Sequence, residues 1–128
     1  MQTACIKILV VEDDPDLAAL EAELLEEHGH RVEVANNGRE ALAAVERAAP
    51  DLILLDMKMP VMSGREFADE YRRAQPSPAP IVVVTAADDA QVRAAEVGAS
   101  GWIAKPFDPD LLVENVMRLL PQTSVPRP

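Results

Sequence analysis

Three apolar runs of this chain are each followed by charged side chains. The runs and the charges after them are 8–11 with Glu12 and Asp13, 52–55 with Asp56, and 101–103 with Lys105. Continuous apolar runs are typical of buried parallel strands, and ligands of open α/β sheets bind beyond the carboxyl ends of such strands. If the three runs are neighbouring strands, three carboxylates and one ammonium converge on a single crevice.

Such a crevice concentrates negative charge. Two carboxylates about 4 Å apart repel by roughly 4 kcal/mol at an effective dielectric constant of about 20. The cluster therefore needs a cation, a shared proton or a chemical purpose. We interpret it as a Mg²⁺ site beside an aspartate that accepts phosphate, because Mg²⁺ takes oxygen ligands and binds carboxylates together with substrate phosphates.

Length and charge limit the classes of protein to which this chain can belong. Its 128 residues suit one domain, and a hydrophobic content of 48% is enough to build a core. The net charge of −10 disfavours contact with nucleic acid or anionic lipid, because both carry negative charge. We therefore expect no direct nucleic-acid partner.

Membrane insertion and secretion are also disfavoured. The longest apolar stretch, around 79–87, is far shorter than the ~20 residues that span a bilayer. Residues 1–4 lack the charged and apolar regions of a secretory signal, and a single cysteine cannot form an internal disulfide. These features favour a cytoplasmic location with no membrane contact.

Strand-like and helix-like patterns alternate along the chain. We predict strands at 6–11, 31–35, 51–55, 81–84 and 101–104. A helix follows each strand, and the predicted helix starts are Asp14 before Pro15, an Asn37–Glu40 capping box, Ser63, Asp88 or Asp89, and Asp108 before Pro109. Five strands alternating with five helices predict a parallel sheet with helices on both faces.

The periodicity of the helices also sets the limits of the domain. In the first helix we predict an apolar stripe made of Leu17, Leu20, Leu24 and Leu25, and the last helix repeats this pattern up to about residue 120. We therefore predict one domain over 1–120. Residues 121–128 are proline-rich and are predicted to be a disordered tail or the stub of a linker.

Four segments together resemble a known family. They are 8–14 (ILVVEDD), 55–64 (LDMKMPVMSG), 84–86 (VTA) and 105–107 (KPF). In this order and spacing they resemble the receiver domain of two-component response regulators, over roughly residues 6–120. The resemblance implies a flavodoxin-like, doubly wound α/β fold with a five-stranded parallel sheet in the order 2-1-3-4-5.

The resemblance assigns the carboxylates of the crevice. Asp56 would accept the phosphoryl group, because a carboxylate can attack phosphorus and become an acyl phosphate. Glu12 and Asp13 would hold Mg²⁺ together with Asp56 and the backbone carbonyl of Lys58. A solvated acidic turn is the alternative for Glu12 and Asp13.

The resemblance also assigns the lysine that follows the fifth strand. Lys105 would pair with Asp56 at rest and with the phosphoryl oxygens afterwards, and Pro106 would follow it through a cis peptide bond. Lys58, two residues beyond the phosphoacceptor, is hypothesised to change the lifetime of the phosphoryl group.

Two further residues form a predicted switch. The hydroxyl of Thr85 would reach a phosphoryl oxygen, since the residue stands at the carboxyl end of the fourth predicted strand. Trp102 stands where the family usually has tyrosine or phenylalanine, and the resemblance implies that it turns inward when Thr85 moves. A tryptophan that only packs is the alternative.

We therefore predict a phosphorylation-switched signalling domain. The expected donor is a sensor histidine kinase or a histidine phosphotransfer protein, and the expected output is the binding of an effector at the face of the fourth helix, fifth strand and fifth helix, or phosphorylation-dependent homodimerisation. The domain would assist its own phosphorylation and dephosphorylation without being an enzyme for a separate substrate.

Other classes of protein fit the sequence less well. The main alternative is a receiver-like interaction module that does not use phosphate, and the complete set of site residues argues against it. A flavodoxin-like cofactor binder would need small or hydroxyl residues after the first strand, where Glu12 and Asp13 stand. A phosphatase with an aspartyl intermediate would need a general acid two residues after Asp56, where Lys58 stands.

Overall fold

The computed structural model describes residues 6–57, 59, 61–86 and 88–120. The strands are β1 (Lys7–Val11), β2 (Arg31–Ala35), β3 (Leu52–Asp56), β4 (Ile81–Ala86) and β5 (Gly101–Lys105). The helices are α1 (Pro15–Glu26), α2 (Gly38–Arg47), α3 (Gly64–Ala74), α4 (Ala90–Val97) and α5 (Pro109–Leu119). Strands and helices alternate as predicted. The proposed tail, 121–128, and Lys58 lie outside the described residues.

All five strands form one parallel sheet in the order β2-β1-β3-β4-β5. The predicted fold class and strand order are therefore confirmed. β1 and β3 are neighbours in this sheet, and β4 and β5 follow on the other side of β3. Because all strands run in the same direction, their carboxyl ends meet along one edge of the sheet.

Three of the strands extend further than the sequence predicted. β3 includes Asp56, β4 includes Thr85 and β5 includes Lys105. The reason is the ladder between strands, in which Asp56 pairs with Val84 and Thr85 pairs with Ala104. These polar residues therefore belong to the sheet itself, and their backbone is fixed by pairing with neighbouring strands.

Side-chain caps explain where most helices begin. The Asp14 carboxylate accepts hydrogen bonds from the N–H groups of Asp16 and Leu17, at 3.0 and 3.3 Å, ahead of Pro15. Asp108 caps α5 in the same way. At α3, the Ser63 hydroxyl and the Glu66 carboxylate each accept a backbone N–H of the other residue, which completes a capping box.

Two predicted caps differ from expectation. Asn37 caps α2, but the Glu40 carboxylate accepts the N–H of Asn36 instead of that of Asn37, so the box is shifted by one residue. Asp89 holds the N-cap position of α4, yet its side chain makes no capping hydrogen bond because its backbone is already helical. Only an extended N-cap backbone places the side chain across the first turn.

The sheet separates two cores. Helices α2, α3 and α4 cover one face with an apolar cluster that includes Leu55, Phe67 and Tyr71. The rings of Phe67 and Tyr71 stack there with centroids 5.6 Å apart. Helices α1 and α5 cover the other face, which includes Val84 and Leu112.

The buried stripe of α1 differs from the predicted leucine stripe. Its fully buried positions are Ala18, Glu21 and Leu25, whereas Leu20 is 39% exposed. Residues 18, 21 and 25 are spaced by three and four, so they share one line along the helix, and Leu20 is turned 100° from Glu21. Of the predicted apolar stripe, Leu25 belongs to the buried line, whereas Leu20 lies outside it.

Two hydrogen bonds hold the end of the loop between α3 and β4. The N–H of Ala79 donates a hydrogen bond to the Tyr71 hydroxyl at 2.8 Å, and the Pro80 carbonyl accepts from the N–H of Ile53 at 3.0 Å. Residues 76–78 before this point are exposed. The chain therefore enters β4 from a fixed position.

Candidate functional site

Two of the predicted acidic residues follow β1. The side chain of Glu12 is almost fully buried, with a residue exposure of 1%, and its Oε2 accepts the N–H of Asp14 at 3.2 Å. The Glu12 N–H donates to the Ala35 carbonyl at 3.0 Å, which continues the pairing of β1 with β2. Asp13 is exposed. The turn after β1 thus points one carboxylate inward and leaves its neighbour accessible.

Lys105 lies close to Glu12, which follows β1, and to Asp56, which ends β3. Its Nζ is 3.1 Å from Glu12 Oε1 and 3.5 Å from Asp56 Oδ2. Asp56 is buried at the last position of β3, and Lys105 is at the last position of β5. Residues that are far apart in sequence are therefore brought to one ion-paired group. The Lys105–Pro106 peptide bond is cis, as the resemblance implied.

The same crevice fits a divalent cation. Glu12, Asp13 and Asp56 each offer one carboxylate oxygen, and these three atoms lie within 4.8 Å of one another. Mg²⁺ binds oxygen ligands at about 2.1 Å and retains several waters, so a small inward movement of three carboxylates would suit it. The fourth predicted protein ligand, the carbonyl of Lys58, lies outside the described residues.

Burial and crowding change the acidity of the site. Burial, followed by the charge of Asp56, raises the pKa of Glu12 to about 7, although Lys105 offsets part of this rise. Burial by itself lowers the pKa of the Lys105 ammonium, but the facing charges of Asp56 and Glu12 outweigh it and raise that pKa above its ordinary value. The group of charges is therefore short of positive charge, as a cation site requires.

The two residues of the predicted switch lie on neighbouring strands. Thr85 is buried, with an exposure of 2%, and Trp102 is 45% exposed. Trp102 pairs with Val83 in the ladder between β4 and β5, two positions before the partner of Thr85. The outward tryptophan is the arrangement that the resemblance implies for the resting state, and its movement stays a prediction.

The loop after β3 is packed tightly against the backbone of Asp56. A Cβ atom on Gly64 would lie 2.7 Å from the Asp56 carbonyl oxygen and 2.8 Å from Met57 Cα, so only glycine fits. In the same loop Val61 has a φ of 72°, in the left-handed region that β-branched residues avoid. This close approach fixes the backbone that carries the Asp56 carboxylate.

Sequence analysis missed one buried carboxylate, that of Glu21 on α1. Its exposure is 1%, and its Oε2 finds no hydrogen-bond partner among the described residues. Burial, followed by the charge of Glu12, raises the pKa of Glu21 to about 8. The available signal was its place three residues after Ala18 and four before Leu25, on one line of the helix.

An apolar groove adjoins the charged crevice. It has a volume of about 460 Å³, and its lining residues are Leu17, Leu20, Ala86, Lys105, Pro106 and Phe107. Leu20 is exposed because it lines this groove and does not pack in the core. The groove therefore leads from the first turns of α1 to the ammonium of Lys105.

Across the described residues, no helix combines the length and the apolar character that crossing a membrane requires.

Comparison with known proteins points to one family. The family model of the response regulator receiver domain matches residues 8–117. Transcriptional regulatory protein TcrA of Mycobacterium tuberculosis is 37% identical over 125 residues, which are 96% of this chain and 49% of TcrA. DNA-binding response regulator MtrA of Mycolicibacterium smegmatis is 40% identical over 118 residues, which are 91% of this chain and 51% of MtrA. The chain thus spans about half the length of these curated relatives.

Solved structures give the same result for the fold. The chemotaxis response regulator CheY4 of Vibrio cholerae superposes with a TM-score of 0.83 at 36% sequence identity. The match covers 91% of this chain and 100% of CheY4. The receiver domain of NtrX from Brucella abortus superposes with a TM-score of 0.82 at 32% identity, covering 91% of this chain and 99% of that domain.

Proposed function

Because this chain belongs to the response regulator receiver domain family, we propose that it is a phosphorylation-switched signalling domain in which Asp56 accepts the phosphoryl group in a Mg²⁺-dependent reaction. The observation that carries the proposal is the position of the Lys105 ammonium, within 3.5 Å of both Glu12 and Asp56. Beside it, the three clustered carboxylates offer a place for a cation. Both features suit a group whose negative charge must be neutralised during transfer.

The chemistry requires little from the protein beyond position and charge. A carboxylate oxygen of Asp56 attacks phosphorus, a P–O bond forms, and the P–N bond to the donor histidine breaks as its imidazole leaves with the electron pair. Lys105 moves its ion pair from the carboxylate to the phosphoryl oxygens. Glu12, Asp13 and Asp56, with the carbonyl of Lys58, would hold Mg²⁺, which neutralises charge on the transferred group. Attack by water later releases phosphate from Asp56.

Phosphorylation then acts on the neighbouring strands. The new charge, about −1.5 to −2, draws the Thr85 hydroxyl towards the phosphoryl oxygens and opens space for Trp102 to turn inward. Trp102 lies on β5, between α4 and α5, so its movement changes the face made by α4, β5 and α5. We propose this face as the binding surface for an effector or for a second copy of the chain.

The donor is proposed to be a sensor histidine kinase or a histidine phosphotransfer protein. It must approach beside Lys105 to reach Asp56, and the apolar groove lined by Leu17, Leu20 and Phe107 opens there. An apolar helix of the donor could bury these side chains. We further propose that residues 1–120 belong to the receiver domain and that the setting is cytoplasmic.

Tryptophan fluorescence and intact mass test the proposal together. With Mg²⁺ and a small phosphodonor, we expect the wild-type mass to rise by one phosphoryl group, and beryllofluoride with Mg²⁺ should change Trp102 emission. Asp56→Asn should abolish both effects. Asp69→Asn, which removes one exposed carboxylate from α3, is the matched control and should behave as wild type.

The outcome also distinguishes a phosphorylation switch from a phosphate-independent interaction module. Wild-type protein that neither gains mass nor responds to Mg²⁺ with beryllofluoride would rule out the phosphorylation switch and favour a phosphate-independent interaction module. Thr85→Ala tests the switch alone: it should still gain the phosphoryl group but lose the fluorescence change.

A further inference from the structure

Helix α4, part of the proposed output face, is tied to α3 at its C-terminal end. The last carbonyl groups of a helix have no donor within the helix. Here Arg72 of α3 supplies the donors: Nη1 donates to the Val97 carbonyl, and Nη2 donates to the Gly98 carbonyl at 3.1 Å. The two contacts use both arms of one guanidinium. A cation in this position also complements the negative end of the helix dipole.

The close contact depends on the residue that ends α4. Gly98 has a φ of 63°, and its N–H reaches the carbonyls of Ala94 and Ala95, which closes the helix. A Cβ atom on Gly98 would lie 3.4 Å from Arg72 Nη1. The guanidinium therefore rests directly on the backbone of this turn.

The helix that carries Arg72 is itself firmly placed. Phe67, Ala68 and Tyr71 of α3 are all buried, and Gly64 at its start packs on the backbone of Asp56. In contrast, α4 is eight residues long, and its buried residues are Ala90, Ala94 and Val97. Small side chains bury little apolar area, so the two hydrogen bonds from Arg72 supplement a limited apolar contact at the C-terminal end of α4.

We propose that Arg72 is a positioning residue that anchors the C-terminal end of α4, so that phosphorylation moves the N-terminal turns of α4, which follow Thr85 and β4, while the last turn stays in place. This inference rests on the proposed function, because it describes how the switch is transmitted. The anchor gives the output face one fixed end and one end that responds.

Amide hydrogen exchange of the full chain tests the anchor without any phosphoryl group. Arg72→Gln should accelerate exchange of the amides at 96–99 about tenfold or more, as expected for the loss of hydrogen bonds from a charged donor. Arg72→Lys keeps the positive charge but loses the planar fork of the guanidinium. Its amide exchange at 96–99 should therefore be faster than in wild type and slower than in Arg72→Gln. Arg73→Gln removes the neighbouring exposed arginine and is the control, expected within about twofold of wild type on the same scale.

Beryllofluoride with Mg²⁺ tests the direction of movement. In wild type the change in exchange should be confined to the first half of α4, and in Arg72→Gln it should extend through 95–98. Equal exchange at 96–99 in wild type and Arg72→Gln would overturn the anchor, and so would a wild-type change that is largest at 95–98. If Arg72→Gln does not fold, Arg72→Lys decides by the same criteria.

The two proposals fail in different ways. A wild-type chain that shows no response to beryllofluoride rejects the switch, and with it the directed movement of α4. The comparison of the unphosphorylated variants still decides whether Arg72 holds the end of the helix.

Discussion

The two faces of the sheet are built on different principles. On the face covered by α2, α3 and α4, the buried hydrophobic cluster includes the stacked rings of Phe67 and Tyr71. On the face covered by α1 and α5, the buried line of α1 includes the carboxyl group of Glu21 between Ala18 and Leu25. One face is a rigid support, whereas the other holds ionisable groups in surroundings that disfavour their charge.

This difference matches what each face does for the site. The apolar side fixes the Asp56 backbone through Gly64, which leaves no space for a side chain. On the other side, burial and the charge of Glu12 favour the protonated form of Glu21, and the charge of its ionised form contributes to raising the pKa of Lys105. The proposed phosphoryl transfer requires both properties, because Asp56 must stay in place while the charge around it changes.

The largest effect is expected where the rigid face touches Asp56. Gly64→Ala would force a Cβ atom against backbone atoms, and overpacking of this kind should lower the free energy of unfolding by about 3 kcal/mol. It should also prevent phosphorylation, because the Asp56 backbone must shift. Urea denaturation and intact mass measure the two effects.

Gly101→Ala is the control for that substitution. A Cβ atom on Gly101 meets only Leu119 Cδ1, at 2.9 Å, and the end of a flexible side chain can move away. If both alanine variants lose the same stability, the rigid support assigned to the α3 side is wrong.

The charged face should make stability depend on pH. The folded-state pKa values of Glu12, about 7, and Glu21, about 8, lie above an ordinary glutamate value near 4.5, so the folded state holds more protons in this range. Stability is therefore lost as pH rises through these values. Between about pH 6.5 and 8.5 we expect a loss of about 2 kcal/mol, since the two groups influence each other and do not add fully.

Mg²⁺ should reverse this loss, because a cation favours the ionised carboxylates. Urea denaturation at several pH values, with Mg²⁺ or with a chelator, measures both effects. The lower limit of pH 6.5 is chosen because burial lowers the pKa of His30, which acts in the opposite direction in more acidic solution. A flat profile in the chelator would contradict the charged character of this face.

Replacing Glu21 isolates its share of the effect. Glu21→Met exchanges a buried carboxyl for an apolar side chain of similar size and should raise the free energy of unfolding by about 1–2 kcal/mol at neutral pH. It should also flatten the pH profile. Glu23→Met alters an exposed position of the same helix and should change stability by less than about 0.5 kcal/mol.

The smallest effect is expected in the loop after β3. Val61 is 69% exposed and has a φ of 72°, so its side chain contributes little packing while straining the backbone. Val61→Gly should stabilise the chain by about 0.5–1 kcal/mol. Glycine removes the energetic cost of the left-handed backbone, but part of this gain is lost because glycine makes the unfolded chain more flexible. Thermal unfolding of this variant beside Val61→Ala, which keeps the strain, separates the backbone effect from the loss of side chain.

Much of the fold could be predicted because local sequence and topology agreed. The apolar runs and the Asp–Pro caps could be identified from local sequence alone, whereas the strand order came from the resemblance to the receiver family. The meeting of Glu12, Asp56 and Lys105 was predicted on the condition that their three strands are neighbours. β1 and β3 are neighbours, and β4 lies between β3 and β5, yet the three groups still meet because all strands of a parallel sheet end at one edge.

Other features depend on contacts that periodicity does not contain. Glu21 was overlooked because a leucine stands beside it, and a rotation of one residue decides which of the two is buried. The hydrogen bonds from Arg72 to the carbonyls of Val97 and Gly98 join residues about 25 apart in sequence. They form only when α3 and α4 are packed together. The elevated pKa of Glu12 likewise arises from burial in the folded chain.

The hydrogen bond from the Ala79 N–H to the Tyr71 hydroxyl divides the loop before β4 into two parts that differ in how well they tolerate inserted residues. Residues inserted among the exposed 76–78 would lengthen a surface loop and would leave the buried position of Thr85 unchanged. Extra residues after Ala79 would displace the strand relative to β3 and carry Thr85 away from Asp56. Residues 76–78 are therefore a suitable point for attaching a label or a fused peptide, because the edge of the sheet that carries Asp56 and Thr85 stays intact.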